Sequence, residues 1–269
     1  GDPIAQFEVA SRLAEGRGVK ADAKAAAAWY RLAAANGLAP AQYRLGSLYE
    51  KGVGVAQDRD AARVWYERAA AKGNRKAMHN LAVLYADGVK GQPNFEAAAR
   101  WFRAAADLGL ADSQYNLGIL YARGLGVPQN FAESYKWFAV LANRGDKDAA
   151  IRRDAVASKL DAQTLAATKL AAQTWKAKRL DPEANAVRLP NEGWAKQLDQ
   201  ASSAQPGADI VRNAQKLLAR LGYQPGPVDG QWGPRTKGAI ESFERDAGLQ
   251  PTGALTPDLL RKLQQQISS

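Results

Sequence analysis

Five side chains between residues 223 and 236 have the types and spacing for ligand chemistry. Tyr223 and Trp232 offer ring faces of the kind that stack on sugars, and the Arg235 guanidinium suits a carboxylate. Asp229 and Thr236 add a carboxylate and a hydroxyl to the same stretch, YQPGPVDGQWGPRT. Each also has a structural reading. Asp229 closes a turn by accepting nearby backbone N–H groups and helps start the next helix. Tyr223 and Trp232 equally suit the core of a unit of about 60 residues, which needs every ring it has. Phe243 reads as core.

The elements that position these residues differ between the two halves of the chain. Trp29, Trp65, Trp101 and Trp137 stand 36 residues apart, and so do Gly37, Gly73, Gly109 and Gly145. Gly16, Gly52, Gly88 and Gly124 keep the same period, as do Asp22, Asp58, Asn94 and Asn130. Repetition at this length marks a solenoid whose units bury their cores against one another. Each unit reads as two helices. In the second, Tyr43, Leu45, Leu48 and Tyr49 form an amphipathic face, Gly52 ends the helix, and Asp58 caps the next. That next helix carries Ala61, Ala62, Trp65, Tyr66, Ala69 and Ala70, with Trp65 expected to fill the space between hairpins. Asp2–Pro3 opens the first helix, and Asn130 with Glu133 forms a capping box.

After Gly145 the period weakens. Residues 146–179 are expected to be a capping helical hairpin, Lys147–Lys159 and Ala162–Lys178, with Trp175 two residues off register. Residues 180–208 combine Pro, Gly, Ser and polar residues and read as a linker, within which Leu189 and Trp194 have a docking role. Residues 209–269 form a compact unit with helices near 210–221, 234–247 and 256–266.

Composition excludes several functions. The 269 residues include no cysteine and one histidine, and the net charge is +10. There is no thiolate, no disulfide and no ligand set for a metal, so cofactors and metals are not expected. Basic and acidic residues number 19 and 13 over 1–145, 10 and 8 over 146–208, and 8 and 6 over 209–269. The excess is spread out, without the basic block of a nucleic-acid tail.

The repeat pattern, carried by Ala41, Leu45, Gly46, Tyr49, Ala61, Ala62, Trp65, Tyr66, Ala69, Ala70 and Gly73, resembles the Sel-like repeat, a relative of the tetratricopeptide repeat. The resemblance implies an adaptor for other proteins. Aligned with the tetratricopeptide motif, Phe7, Tyr43, His79 and Tyr115 fall on the concave side, one per unit. Ser11, Ser47, Val83 and Ile119 lie one turn further on. Such a ladder suits a partner's extended segment or helix. The alternative is that these rings pack between adjacent first helices.

The C-terminal unit resembles the small three-helix peptidoglycan-binding domain through Gln215, Leu218, Leu221, Gly222, Tyr223, Asp229, Gly230, Trp232, Gly233, Thr236, Ala239, Phe243, Leu249, Gly253 and Leu255. Its departure is Glu244, where the family usually has Gln, and that carboxylate is expected to weaken contact with an acidic ligand. Zinc amidase chemistry needs several histidines and L,D-transpeptidase chemistry needs a cysteine. A lytic transglycosylase needs a lysozyme-like fold. No enzyme activity is therefore expected.

The order of modules, with an LDPEAN-type linker, resembles the periplasmic end of alphaproteobacterial polar-development scaffolds. That resemblance implies a periplasmic location at the cell pole and a membrane anchor upstream of residue 1. It also implies peptidoglycan and a periplasmic or membrane signalling protein as partners, with no nucleic acid. The expected fold is all-α: a helical-hairpin solenoid, 1–145, its cap, a linker, and a three-helix peptidoglycan-binding domain. The expected function is a non-catalytic scaffold. The alternatives are a targeting module of a peptidoglycan hydrolase complex and a protein-interaction module that has lost glycan binding.

Overall fold

The computed structural model describes residues 2–88, 91–188, 208–249 and 251–268. The chain divides into two compact units at Arg188–Leu189. Leu189 and Trp194 lie outside the described residues. Among the described residues every regular element is a helix.

The first unit contains α1 (Pro3–Glu15), α2 (Ala23–Ala35), α3 (Ala39–Lys51), α4 (Arg59–Ala71), α5 (Arg75–Asp87), α6 (Phe95–Asp107), α7 (Ala111–Arg123) and α8 (Phe131–Ala142). It continues with α9 (Lys147–Ala157), α10 (Ala162–Thr174) and the short α11 (Pro182–Asn185). The recurring Asp and Asn residues set the helix starts. Oδ1 of Asp22, Asp58, Asn94 and Asn130 each accepts the amide three residues on at 2.9 Å, satisfying a donor that the helix cannot. The capping box at Asn130 is half formed, because the Glu133 carboxylate turns to Lys136 Nζ at 2.7 Å. Gly54 shows why the loop between helices demands glycine. Its φ is +70°, and a Cβ there would lie 2.0 Å from the Ala23 carbonyl oxygen, so the loop rests directly on the preceding unit.

Each hairpin packs on the next, α1 on α2, α2 on α3, and so on through α9. The ring most deeply buried in each of the first three units is not the tryptophan but its neighbour. Tyr30, Tyr66 and Phe102 are at most 3% exposed, whereas Trp29 is 38% exposed. The tryptophans instead reach back onto the preceding unit: Trp65 packs on the core of α2 and α3, and Trp101 on that of α4 and α5. Small residues let the axes approach, with Gly46 against Tyr66 and Gly118 against Phe138.

Beyond α8 the architecture differs from a fifth repeat. α10 packs against α8 rather than pairing with α9 as α1 pairs with α2. Trp175 leaves the end of α10 and meets Trp137 edge-on, centroids 5.7 Å apart. The chain then doubles back over the solenoid. Residues 180–188, expected as linker, belong to the first unit, with Ala184 buried against the α4–α5 corner.

The second unit contains α12 (Ala208–Arg220), α13 (Pro234–Asp246) and α14 (Pro257–Ser268). Leu217, Leu218, Ile240, Phe243, Leu259 and Leu263 form its core, with Tyr223 and Trp232 packed at the edge.

Candidate binding surfaces

Gln215 on α12 organises the turn that carries the five expected ligand residues. Its Nε2 lies 3.2 Å from each of Asp229 Oδ1, the Gln231 carbonyl and Thr236 Oγ1, while its Oε1 accepts from the Gly230 amide at 2.9 Å. Asp229 also accepts from the Gln231 amide at 2.8 Å. That amide first, then Gln215, holds the Asp229 carboxyl below the usual carboxylate range. Thr236 is buried and donates to the Pro225 carbonyl at 3.0 Å. Both side chains build the turn; Thr236 is enclosed by it, whereas Asp229 is exposed and uses only Oδ1 in these bonds.

Tyr223 is half-buried, edge-on to Phe243 with centroids 5.7 Å apart, and its hydroxyl donates to Asp246 at 2.9 Å. Burial and then the Asp246 acceptor push its phenol pKa up. Trp232 is half-buried against the core, and Arg235 is exposed on the first turn of α13. Arg235 makes no hydrogen bond or ion pair among the described residues, which leaves its guanidinium available. The turn thus carries all five residues and presents Asp229 and Arg235 to solvent, with part of Trp232 and of Tyr223, while Thr236 is buried.

Glu244 does not face a ligand. It is 6% exposed, and its carboxylate accepts from the Thr252 amide at 2.6 Å, the Thr252 hydroxyl at 2.6 Å and the Gly253 amide at 2.8 Å. It fixes the loop before α14, so the expected weakening of acidic contacts loses its basis. Sequence reasoning also passed over a cleft of 330 Å³ lined by Phe243, Ala247, Lys262, Gln265 and Gln266. The polar side of α14, LRKLQQQ, was its sequence signal.

On the solenoid, Phe7, Tyr43, His79 and Tyr115 occupy equivalent half-buried sites on α1, α3, α5 and α7. Each packs against the buried ring of the second helix in its own unit. The pairs are Phe7–Tyr30 at 5.4 Å, Tyr43–Tyr66 at 6.0 Å, His79–Phe102 at 5.5 Å and Tyr115–Phe138 at 5.6 Å. The rings therefore pack within the hairpin rather than purely between neighbouring first helices, and each stays half-buried. Ser11 is buried and lies 3.0 Å from the Tyr30 hydroxyl, and Ser47 sits beside the Tyr66 hydroxyl. His79 Nδ1 lies 2.8 Å from Ser113 Oγ. Burial lowers the His79 pKa, against smaller opposing effects of Asp112 and Glu50. At the end of the ladder Arg152 bonds the Tyr115 hydroxyl and lies over its ring.

The Sel1 repeat matches residues 3–38, 39–74, 75–110 and 111–146, more than half of the chain. The chain belongs to the Sel1 repeat family. The peptidoglycan binding domain family matches residues 207–263. The ladder thus lies within the four Sel1 repeats, and the turn of Trp232 and Arg235 within the second family's domain. Helices α9 and α10 and the returning segment fall between them.

Among relatives of this Sel1 repeat protein, the localization factor PodJL of Caulobacter vibrioides is 40% identical over 119 residues. The match covers 44% of this chain and 11% of PodJL, so the chain spans a small part of that relative's length. A crystal structure of a Sel1 repeat protein from Oxalobacter formigenes superposes with a TM-score of 0.51 at 36% identity, covering 56% of this chain and 43% of the other. The c5321 protein, a protective antigen of uropathogenic Escherichia coli with an SLR fold, gives 0.58 at 26% identity over 92% of this chain and 54% of its own.

Proposed function

We propose that this Sel1 repeat protein is a non-catalytic scaffold whose C-terminal unit contacts peptidoglycan while its solenoid docks a partner protein along the aromatic ladder. The observation that carries this reading is that one turn bears the exposed Arg235 guanidinium and, three residues before it, the half-buried Trp232 ring. A planar cation and an aromatic ring on the same turn fit a polymer that alternates sugar rings with carboxylate-bearing peptides. The ladder's half-covered rings supply the anchors for a helix or extended segment. The inward orientation of Glu244 supports a retained rather than a lost glycan role.

A localising role is supported by the likeness to a localization factor, and the setting proposed for it is the periplasm at the cell pole. In that setting the chain positions a signalling or envelope protein at the wall. The experiment is co-sedimentation of the full chain with purified sacculi at low and moderate salt. Wild-type chain should pellet, and Arg235→Ala should pellet about tenfold less, the loss expected for one charge-assisted contact. Equal pelleting by both would remove Arg235 from the contact, and no pelleting by wild type would overturn the peptidoglycan role.

A further inference from the structure

We propose that the corner between α4 and α5 is a peptide-recognition site and that residues 181–185 of the same chain are its ligand. After Trp175 seats on Trp137 under the Arg144 guanidinium, the chain runs back along the ends of the second helices. The Lys178 amide donates to the Asp107 carbonyl at 2.8 Å, and its ammonium reaches the Asp107 carboxylate at 2.8 Å. A Cβ placed on Gly109 would lie 3.0 Å from that of Ala177. One repeat earlier in the solenoid, Asn185 reaches the next corner. Its Nδ2 donates to the Gly73 carbonyl at 2.9 Å, and its Oδ1 accepts from the Arg75 amide at 2.9 Å.

The corner answers with a side chain of its own. Asn74 is 2% exposed, and its Nδ2 donates to the Ala184 carbonyl at 2.6 Å while its Oδ1 caps α5 through the Ala77 amide. Asn185 therefore uses both ends of its amide on two backbone groups of the corner, and its Nδ2 also donates to the Asp181 carbonyl of its own segment at 2.8 Å, a set that a carboxylate or an aliphatic side chain does not reproduce. The bound segment is also shaped in advance. Asp181 accepts from the Glu183 amide at 2.9 Å and Pro182 takes the first helical position, which lowers the entropy lost on docking. The ligand class is a short Asp-Pro-Glu-Ala-Asn-type turn, recognised by shape and by one asparagine.

The clasp has a consequence for the segment itself. Closed, it holds residues 181–185 on the corner between the second and third repeats. Release would free residues 176–188, about 43–47 Å of extended chain at roughly 3.3–3.6 Å per residue.

The test uses the full chain and a fluorescein-labelled peptide of residues 178–188, KRLDPEANAVR, followed by anisotropy. In D181A/N185A the internal segment has lost its cap and both Asn185 contacts to the corner, so the peptide should displace it and bind this chain saturably. Wild type, its site filled by its own segment at high effective concentration, should bind at least about tenfold more weakly. Adding Asn74→Asp keeps the α5 cap, because Asp caps as well as Asn, but removes the donor to Ala184 and should abolish peptide binding. Absence of saturable binding to D181A/N185A, or equal binding with Asn74→Asp added, would overturn the proposal. Native-state hydrogen exchange gives a second readout. The Arg75 amide should exchange about tenfold faster in Asn185→Ala than in wild type, and unchanged exchange would count against the clasp.

Discussion

Gly46 lies against the ring of Tyr66 so closely that a Cβ at position 46 would sit 2.7 Å from Cδ1 and Cε1. Gly118 stands in the same relation to Phe138, at 2.9 Å, while the equivalent positions of the first and third units hold Ala10 and Ala82. Gly46→Ala should therefore force the ring aside, at a cost of about 1–2 kcal/mol once the gain in helix propensity is subtracted. Tyr66→Ala, which empties the site and strips the part-buried hydrogen bond to Glu50, should cost about 3–5 kcal/mol. Thermal unfolding followed by circular dichroism checks both. A stabilised Gly46→Ala would mean that the ring has room the packing does not show.

The ladder rings should behave differently from the buried rings. Tyr43 is half-buried and has one aromatic neighbour, so Tyr43→Ala should cost clearly less stability than Tyr66→Ala, about 1–2 kcal/mol. Equal losses in the two variants would make Tyr43 a core residue and take the ladder out of consideration as a docking surface.

Glu244 should tolerate an amide but not truncation. The Gln oxygen can accept both backbone amides while its NH2 donates to the Thr252 hydroxyl, so Glu244→Gln should change stability by less than about 1 kcal/mol. Glu244→Ala leaves those donors unpaired and should cost about 1.5–3 kcal/mol. Urea denaturation of the two variants separates the outcomes, and a large loss in Glu244→Gln would show that the charge itself is needed.

His79 should make the solenoid sensitive to mild acid. Burial lowers its folded pKa below the ordinary value, so the unfolded chain takes up the proton first. Stability should be full above about pH 6.5 and fall as pH drops below it. His79→Phe, which copies Phe7 of the first repeat, should flatten this part of the profile between pH 7 and 5.5. An identical slope in both proteins would assign the sensitivity to another group.

The solenoid was legible in the sequence because its signals are local and repeated. The Asp and Asn caps, the loop glycines and the amphipathic faces each act within one hairpin and recur at a fixed period. Less legible was which ring goes inside. Trp65 and Tyr66 are adjacent, and only the angle between helices decides which faces the hairpin core and which the previous unit. The clasp was not legible at all: Asn74 and Ala184 are 110 residues apart, and an LDPEAN segment reads as linker until its partner is in place. In the C-terminal unit the five residues around Asp229 were found from their types. Their division into turn-builders and exposed groups depends on Gln215, whose buried amide has no distinctive signature in an amphipathic helix.

The central claim is that wall contact and protein docking reside in different units, and the direct measurement is co-sedimentation of residues 207–269 and, separately, 1–188 with purified sacculi. The C-terminal fragment should pellet and the solenoid should stay in solution, with Trp232→Ala and Arg235→Ala releasing the former. Pelleting of the solenoid alone, or of neither fragment under conditions that keep both folded, would contradict the account.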